Sequence, residues 1–392
     1  MAILTNLLEH PELRPATEAL IARVFPAGTP LPSPQTVSAE FPLLLEEANA
    51  ERTLVLCDDD APDRPIASAS YRIFEYGELN SPKLLRLAGI GLVVTDPAAR
   101  GKGYASHLLL ACEARARREG AACAVLWSDL VSFYEKNGYL VGGTEISWLL
   151  EEQSLNLVRE RLRAELSPSQ SIAIELTNGA LSTDTRFALR RIYEGSGIGP
   201  RRDVSSYAAF EAMPGLDRWV ARSQTGQIVG SALVGKGRDL TDTLHEWTGE
   251  SRTWPWILRA ILEGPRTRLR IQLPYDHPHR AEIEHWLGQG EKTPLAFWKT
   301  LDSARLANWI RQREALPKGV DVLVTGSASA QTITVLNAGT PVFESRDPAH
   351  LLQIFLGPWT PDEMDDVPFA LREALKGAKL PVCPYFWGLD SV

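Results

Sequence analysis

The sequence has few cysteines, and their spacing builds neither a metal site nor a disulfide framework. Its four cysteines, Cys57, Cys112, Cys123 and Cys383, lie far apart and inside apolar stretches. Cysteines paired at short spacing would predict a CxxC zinc site or a cross-linked secreted domain, and neither pattern is present. We therefore expect reduced core thiols, no metal and a cytoplasmic protein.

The sequence also lacks an apolar run long enough to span a membrane and any recognisable export signal. Residues 1–6 have no basic flank that leads into an apolar stretch. The net charge of -8 argues against the basic patches that nucleic-acid binding needs. These absences predict a soluble protein with no membrane or nucleic-acid partner, and an acidic surface favours cationic substrates such as amines.

The length of 392 residues exceeds one ordinary core and predicts two or three domains. Hydrophobic patterning over residues 1–150 predicts the order helix, three strands, helix, strand, helix, strand. The three early strands have short connections, which favours an antiparallel meander. Residues 168–300 repeat this order loosely and indicate a degenerate internal duplication. Residues 301–392 predict a small α+β region.

A glycine-rich turn joins the third predicted strand to the helix that follows it. Gly101 and Gly103 lack a Cβ, so the backbone there can come close to a ligand. Free N–H groups of the first helical turn and the positive end of the helix dipole favour a pyrophosphate at this point. Arg100 and Lys102 add positive charge beside it. Taken alone, such a turn is equally a helix entry without a ligand.

Two motifs carry a family resemblance. Residues 100–105, R-G-K-G-Y-A, fit the pattern R/Q-x-x-G-x-G/A and resemble the acetyl-CoA loop of the GNAT superfamily of N-acetyltransferases. Residues 133–139, F-Y-E-K-N-G-Y, are similar to the second motif of that superfamily, a short helix of the type F-Y-x-x-x-G-F/Y. A Rossmann loop would follow the first strand of a parallel βαβ unit, whereas several strands precede the loop here.

The resemblance covers residues 1–150 and implies a catalytic GNAT domain of the α/β (α+β) class, with a mixed, mostly antiparallel central sheet and acetyl-CoA as co-substrate. It implies that the strand before the loop separates from its neighbour. The backbone of Leu92, Val93 and Val94 would then hold the pantetheine arm and stabilise the oxyanion. The residues that match the pyrophosphate loop are Arg100, Gly101, Lys102, Gly103, Tyr104 and Ala105. A longer acyl donor stays open.

The implied reaction is direct attack of a neutral primary amine on the acetyl carbonyl in a ternary complex, with two proton transfers. Tyr134 matches the tyrosine near the departing sulfur and would be the general acid, although a packed core aromatic is its alternative role. The strand before the loop has no glutamate where some relatives place a base. Glu75, Glu78 and Asp129 are candidates, as is a water chain, and Asp129 is alternatively a helix cap.

The second unit has residues 244–254, L-H-E-W-T-G-E-S-R-T-W, where the loop should be. Glu246 and Glu250 would repel a pyrophosphate, so we expect a GNAT-like shape that holds no CoA. Two such units and a small tail also resemble the enhanced intracellular survival family of acetyltransferases, whose tail is sterol-carrier-like. In that family the terminal carboxylate acts as base in the first unit, which would give this role to Val392 and pack the aromatic residues 385–387.

The acceptor stays open between a small amine and a protein lysine, and so does the oligomeric state. His277, His279, Glu282 and His285 have metal-ligating side chains, but the prolines around them favour a loop and a helix entry. Tryptophans 247, 254 and 256 either line a pocket or pack in the core.

The rival function is a non-catalytic acyl-CoA sensor. The absence of an obvious base favours this alternative, and the presence of Tyr134 as a proton donor disfavours it. A lipid carrier that acts through the tail is a third possible function.

Overall fold

The computed structural model describes residues 2–25, 36–79, 83–166, 172–277, 279–313, 315–327, 330–382 and 384–391. The strands in chain order are β1 Ala2–Asn6, β2 Thr53–Asp58, β3 Ala61–Glu78, β4 Leu84–Thr95, β5 Cys123–Leu126, β6 Leu140–Glu151, β7 Ala173–Leu176, β8 Ile198–Pro200, β9 Asp217–Arg222, β10 Ile228–Val234, β11 Thr243–Gly249, β12 Arg268–Pro274, β13 Glu291–Thr300, β14 Val320–Ser327, β15 Ala330–Asn337 and β16 Thr340–Ser345. The helices are α1 Arg14–Val24, α2 Val37–Glu40, α3 Pro42–Leu45, α4 Tyr104–Arg118, α5 Val131–Lys136, α6 Glu152–Glu165, α7 Thr183–Gly195, α8 Val204–Glu211, α9 Trp254–Glu263, α10 Arg280–Leu287, α11 Ser303–Gln312, α12 Ala349–Phe355 and α13 Phe369–Leu375.

One 13-stranded sheet runs through both predicted units, in the order β1-β2-β3-β4-β5-β13-β6-β12-β11-β10-β9-β7, with β8 paired to β3. Its neighbours are antiparallel except for β4 with β5 and β11 with β12, which are parallel. The predicted α/β class with a mixed, mostly antiparallel sheet is therefore confirmed. The two parallel pairs occupy corresponding places in the two halves, as expected for a duplication.

The two halves of the sheet exchange a strand. Strand β13 comes from the second half of the sequence, yet it pairs with β5 on one side and with β6 on the other. Strand β6 in turn pairs with β12 over residues 145–151. The sequence did not predict β13, because Pro294 and the charged residues Glu291 and Lys292 are unusual in an interior strand. The boundaries predicted at 1–150 and 168–300 thus separate segments joined by backbone hydrogen bonds.

Helix α4 packs on β3 and β4 with an apolar stripe, in which Leu108, Cys112 and Ala116 are fully buried. Basic residues fill its last turn, where they face the negative end of the helix dipole. Gly120 ends it with a φ angle of +88° that an L-residue rarely adopts. Cysteines 57, 112 and 123 are free and buried, and Cys383 lies outside the described residues.

The predicted small α+β region contains α11, the antiparallel sheet β14-β15-β16, α12 and α13. Helix α12 packs against β13 and β6, which attaches the region to the large sheet. Its likeness to a sterol carrier stays a prediction. Within the residues described, no helix is both long enough and apolar enough to cross a membrane.

Candidate active site

Strands β4 and β5 pair for three residues and then separate. Parallel pairing joins Leu87, Ala88 and Gly89 to residues 123–125. Beyond Gly89, the pairing of β4 is with β3 alone. The backbone groups of residues 90–95 that face β5 therefore border a gap in the sheet, where an extended ligand can accept and donate the hydrogen bonds of a missing strand.

A bulge in β4 lies within this gap. Ser68 pairs with Val94 and Ser70 with Gly91, so three steps along β4 oppose two along β3. Leu92 adopts a φ angle of +52°, which is costly for a residue with a Cβ. Its side chain is held in a small apolar cluster with Val94 and residues of α1, α2 and α3. Strain of this kind persists only where packing enforces it, and it concentrates at functional sites.

The glycine-rich turn forms an exposed loop at the start of α4. Gly101 and Gly103 both have φ angles of +78°, and a Cβ at either position would have open space around it. Gly103 is the N-cap of α4 and supplies no side-chain acceptor, so the first N–H groups of the helix stay available. Asp96 anchors the loop, because its carboxylate accepts from Ala98 N–H and from Arg23. These groups fit a pyrophosphate.

Tyr134 lies at the same end of the first unit as the gap between β4 and β5, because α5 begins just after β5. The side chain is 5% exposed and packs with Phe133, Tyr139 and Phe297 at ring distances of 5.0, 5.8 and 5.7 Å. Burial raises the pKa of its hydroxyl, while the contact with the Ser128 hydroxyl acts in the opposite direction. Tyr134 therefore stays protonated at neutral pH, which is the state that a general acid requires.

The candidate bases Glu75 and Glu78 lie away from the gap between β4 and β5. Glu75 is paired across the sheet with Arg86, about 20 Å along β4 from Leu92 at the usual rise per residue. Its carboxylate forms ion pairs with Arg86 at 3.5 Å and with Arg201 at 3.3 Å. Glu78 is 60% exposed and faces Arg313. The structure does not bring either glutamate to the open end of the β4–β5 pair.

Asp129 is exposed and does not cap α5. The N-cap position is Leu130, and the side chain that accepts a backbone N–H at this helix start is that of Ser128, 3.1 Å from Leu130 N. The alternative prediction of Asp129 as a helix cap is therefore wrong. Ser128, one position earlier, accepts the N–H of Leu130 through its hydroxyl. A sequence pattern does not distinguish a serine from an aspartate in this role.

Val392 lies outside the described residues, but the chain just before it is ordered against both units. The predicted packing of the aromatic terminus is confirmed: the ring of Phe386 lies 5.3 Å from that of Phe74 and 5.5 Å from that of Trp127. Trp127 directly follows β5, so the tail contacts the first unit at the end of that strand. Ser391 ends the described chain in contact with Lys236.

The second unit repeats the strand separation without the loop. Strands β11 and β12 pair only over residues 243–244 and 270–271. Residues 250–253 replace the longer connection 96–103 of the first unit. The rings of Trp247 and Trp254 stack with centroids 3.3 Å apart across this position. Glu246 does not face the loop as the sequence predicted, because its carboxylate is buried against Arg202.

A cavity of about 870 Å³ lies beside this second gap. Trp247 and Trp254 line it, together with Trp309 and Trp387, so two of the tryptophans considered for a pocket do contact one. His277 lies in the loop before α10, and burial lowers its pKa to about 4. Among the described residues, no group of three or more His, Cys, Asp or Glu is arranged to hold a metal ion.

The charged residues Arg72, Arg202 and Asp390 had no part in the sequence-based prediction, although the structure places them between the two units and the tail. Arg202 follows another arginine and carries no signal of burial. Asp390 had one, since it is a single acid within the apolar terminus F-W-G-L-D-S-V. A lone charge in an apolar segment indicates a buried ion pair.

Comparison with known proteins finds a family match in the first part of the chain. Residues 19–142 match the family model described as Acetyltransferase (GNAT) domain, a range that contains the separated strands, the glycine loop and Tyr134. This part of the chain therefore matches a GNAT acetyltransferase domain. No curated protein sequence matches the chain.

Solved structures extend the fold similarity to the whole chain. A GCN5-related N-acetyltransferase from Kribbella flavida has 15% identity and a TM-score of 0.62, with 100% of both chains covered. A probable N-acyltransferase from Enterococcus faecalis V583 has 13% identity and a TM-score of 0.66 over 100% of both chains. Eis1 from Mycobacterium abscessus has 15% identity and a TM-score of 0.62 over 99% of both chains. At these identities the likeness shows a common fold.

Proposed function

We propose that the protein is an N-acyltransferase that moves an acetyl group from acetyl-CoA to a primary amine by direct attack in a ternary complex. The observation that carries the proposal is the meeting, at one end of the first unit, of an unpaired edge of β4, the bulge at Leu92 and the free helix start at Gly103. We assign catalysis to residues 1–150, a degenerate GNAT-like unit to 168–300 and a supporting region to 301–392.

The cofactor would bind along two adjoining surfaces. The pantetheine arm would pair with the backbone of Leu92, Val93 and Val94, as an added strand pairs with a free sheet edge. The pyrophosphate would meet the backbone N–H groups and side chains of residues 100–105, where the helix dipole favours negative charge. A backbone N–H in the bulge would also polarise the thioester carbonyl. Acetyl-CoA is the expected donor, and a longer acyl chain remains open.

In the reaction, the amine nitrogen forms a bond to the acetyl carbon, and the carbon–sulfur bond of the thioester breaks. Tyr134, kept protonated by burial, donates a proton to the departing sulfur. The proton of the amine goes to a base, for which we propose the terminal carboxylate of Val392. The support is that Ser391, one residue earlier, accepts from Lys236, and that Leu389 shares an apolar cluster with Leu43 of the first unit.

Reduced thiols at three buried cysteines suit a cytoplasmic protein, and the acidic composition suits a cationic acceptor, either a small amine or a protein lysine. The experiment is continuous detection of free CoA thiol when the protein meets acetyl-CoA and a panel of amines. Amine-dependent release would support the transferase and identify a class of acceptor. Tight acetyl-CoA binding with no release from any amine or lysine peptide would instead support an acyl-CoA sensor.

Substitution of Tyr134 separates its two roles. Tyr134→Phe keeps the packing of the ring and removes the proton donor, so we expect turnover to fall about 100-fold with acetyl-CoA affinity retained. Tyr139→Phe is the matched control, since Tyr139 is also buried but its hydroxyl donates to Glu113 at 3.0 Å. Equal turnover in the two variants would remove Tyr134 from the mechanism.

Truncation tests the base. Removal of Ser391 and Val392 should abolish turnover and leave acetyl-CoA binding intact, because the cofactor surfaces belong to the first unit. Unchanged turnover of the truncated protein would exclude the terminal carboxylate and leave a water chain as the proton acceptor.

A further inference from the structure

Residues 384–391, which we call the strap, lie across the second unit as a buried segment. The side chains of Tyr385, Trp387 and Leu389 are each no more than 6% exposed. The N–H of Gly388 donates to the carbonyl of His245 in β11, 3.4 Å away. That carbonyl lies just beyond the residues that pair with β12. The strap therefore occupies part of the gap that the second unit retains between these strands.

A buried ion cluster fixes the strap near its end. Arg202, from the segment before α8, donates to both carboxylate oxygens of Asp390, with Nη2 2.8 Å from Oδ2. The same guanidinium donates to both oxygens of Glu246 in β11, with Nη1 3.1 Å from Oε1. The three side chains are 2%, 3% and 7% exposed. The ring of Tyr193 lies 3.9 Å from the guanidinium carbon and closes the site.

The ion cluster fixes the position of the strap more than it contributes to the free energy of folding. Burial raises the pKa of Asp390, and Arg202 opposes that shift by favouring the charged carboxylate. Buried ion networks contribute little net stability compared with apolar packing, but removing one partner leaves the others uncompensated. Their geometry admits few alternatives, because each charged oxygen must keep its hydrogen bonds. The strap is consequently held in one register on the second unit.

A second contact fixes the last described residue. The Nζ of Lys236 donates to the carbonyl oxygen of Ser391 at 2.5 Å and to its hydroxyl at 3.0 Å. Lys236 is buried and begins the loop that leads to Arg238. Arg238 donates through Nε to Glu40 of α2 at 2.8 Å. The loop that holds the end of the strap is therefore itself attached to the first unit.

Helix α3 of the first unit contributes to the apolar cluster at the strap and to the cluster around the bulge of β4. Leu43 of α3 and Leu389 of the strap belong to the same buried apolar cluster. The neighbouring residues Leu44 and Leu45 belong to the cluster that contains Leu92. Helix α3 thus contributes adjacent residues to two separate clusters, one with the strap and one with the strained residue at the candidate active site.

We propose that the second unit is a receptor for the chain's own C-terminal strap, and that Arg202 and Asp390 are positioning residues that set where the strap ends relative to the gap between β4 and β5 of the first unit. This gives a role to a GNAT-like unit whose cofactor loop is replaced by the stacked Trp247 and Trp254. The effect on turnover rests on the proposed function, whereas docking of the strap is measurable without it.

Two substitutions test the cluster in the full-length protein. Asp390→Asn keeps the shape and removes the charge, and Arg202→Lys keeps the charge and removes the planar fork. We expect hydrogen exchange in residues 384–391 to become at least about tenfold faster in both. Turnover should fall by about 10-fold to 100-fold, as misplacement of a reacting group does, with the Kd of acetyl-CoA unchanged.

The matched control is Glu211→Gln. Glu211 is 8% exposed and pairs with Arg186 in the same unit, without a contact to the strap. It should alter neither strap exchange nor turnover. Wild-type strap protection and turnover in both cluster variants would overturn the proposal, and so would an equal loss in the control. Absence of amine-dependent turnover in the wild type would contradict the proposed function alone, while strap exchange would still decide the docking.

A peptide tests the receptor directly. The chain ending at residue 383 should bind a synthetic peptide of residues 384–392 in a saturable manner and regain amine-dependent CoA release. The same peptide with Asp390→Asn should fail in both measurements. Equal binding of the two peptides would overturn the role of the cluster. If the shortened chain does not fold, the substitutions in the full-length protein decide the question.

Discussion

Leu92, Gly101 and Gly103 have positive φ angles within twelve residues of sequence. At Gly101 and Gly103 the missing Cβ leaves the backbone open toward solvent and toward a ligand. At Leu92 the Cβ is present, and surrounding packing enforces the angle. The chemistry proposed for this end of the first unit therefore depends on backbone geometry at single residues, which substitution can probe where side chains contribute little.

Gly103→Ala should weaken acetyl-CoA binding and destabilise the fold by about 1–2 kcal/mol, since the left-handed region disfavours a Cβ. Gly377 supplies a matched control, with a φ angle of +80° and open space around an added Cβ. Gly377→Ala should cost similar stability without a change in the Kd of acetyl-CoA. Calorimetric binding and thermal melting measure the two effects; equal Kd values for the two variants would argue against a cofactor loop at Gly103.

On the scale of elements, α4 joins the glycine-rich loop, the proposed cofactor site, to the rest of the first unit. Arg100 and Lys102 are exposed before its first turn, and Arg117 and Arg118 are exposed in its last turn. These two pairs of charges lie about 20 Å apart along the helix. The two pairs are therefore sites of equal charge at opposite ends of the helix dipole of α4.

Replacing Arg100 and Lys102 together by Gln should raise the Kd of acetyl-CoA about tenfold at low salt, because two charge-assisted contacts to phosphate are lost. The difference from the wild type should shrink as salt screens the charges. The double Gln variant at Arg117 and Arg118 should bind normally and lose a little stability from the dipole. Titrations at two salt concentrations check this; a salt-independent loss would contradict an electrostatic role.

Strand β6 connects the two halves of the sheet, and Glu145 lies at that junction. Its carboxylate accepts hydrogen bonds from Gln272 of β12 at 3.1 Å and from Thr293 of β13 at 3.3 Å. Burial raises its pKa to about 7, against an ordinary value of 4.5, and the two hydrogen bonds lower it by less. The folded protein therefore holds this proton over a pH range in which the unfolded chain has lost it.

The contribution of Glu145 to the free energy of unfolding should therefore decrease as pH rises from about 4.5 to about 7. In this range the folded state binds more protons at Glu145 than the unfolded chain does. Glu145→Gln keeps an acceptor for Gln272 and removes the titration, so its stability should depend less on pH and exceed that of the wild type above neutrality. Denaturant unfolding between pH values of about 5 and about 8 measures this. Glu160→Gln, exposed on α6, is the control; parallel curves for all three proteins would contradict the assignment.

At the scale of the whole molecule, exchange of β13 makes the two units interdependent. Strand β13 supplies ladder partners to both β5 and β6, so residues 1–151 by themselves leave two strand edges open inside the sheet. The separated pair β4 and β5 depends on this support, because β5 has only four residues. The first unit contains the proposed cofactor surfaces but lacks the strand β13 that completes the sheet beside them.

A protein ending at residue 151 should therefore fail to unfold cooperatively and fail to bind acetyl-CoA. Fusing residues 289–302 to it through a Gly/Ser linker should restore both, since this returns β13 to the gap. Circular dichroism on heating and acetyl-CoA titration provide the measurements. Full affinity in the unfused fragment would show that the first unit is independent of the exchanged strand.

The sequence by itself determined the local features of this protein. The order of strands and helices over residues 53–151 follows from hydrophobic period, and the loop at residues 100–105 follows from glycine and basic residues beside a helix start. Both are local because propensity, turn chemistry and helix termini act over a few residues. The resemblance to the GNAT superfamily followed from those short motifs, and residues 19–142 match the family model of a GNAT acetyltransferase domain.

Tertiary structure decided everything that joins distant segments. The exchange of β13, the positive φ angle of Leu92 and the burial of Arg202 with Asp390 each depend on partners more than a hundred residues away or on packing from several elements. Pro294 obscured the strand, and Glu75 lies far from the open end of β4 although the sequence allowed it as a base. Register and burial are set by the assembled core, which no local pattern contains.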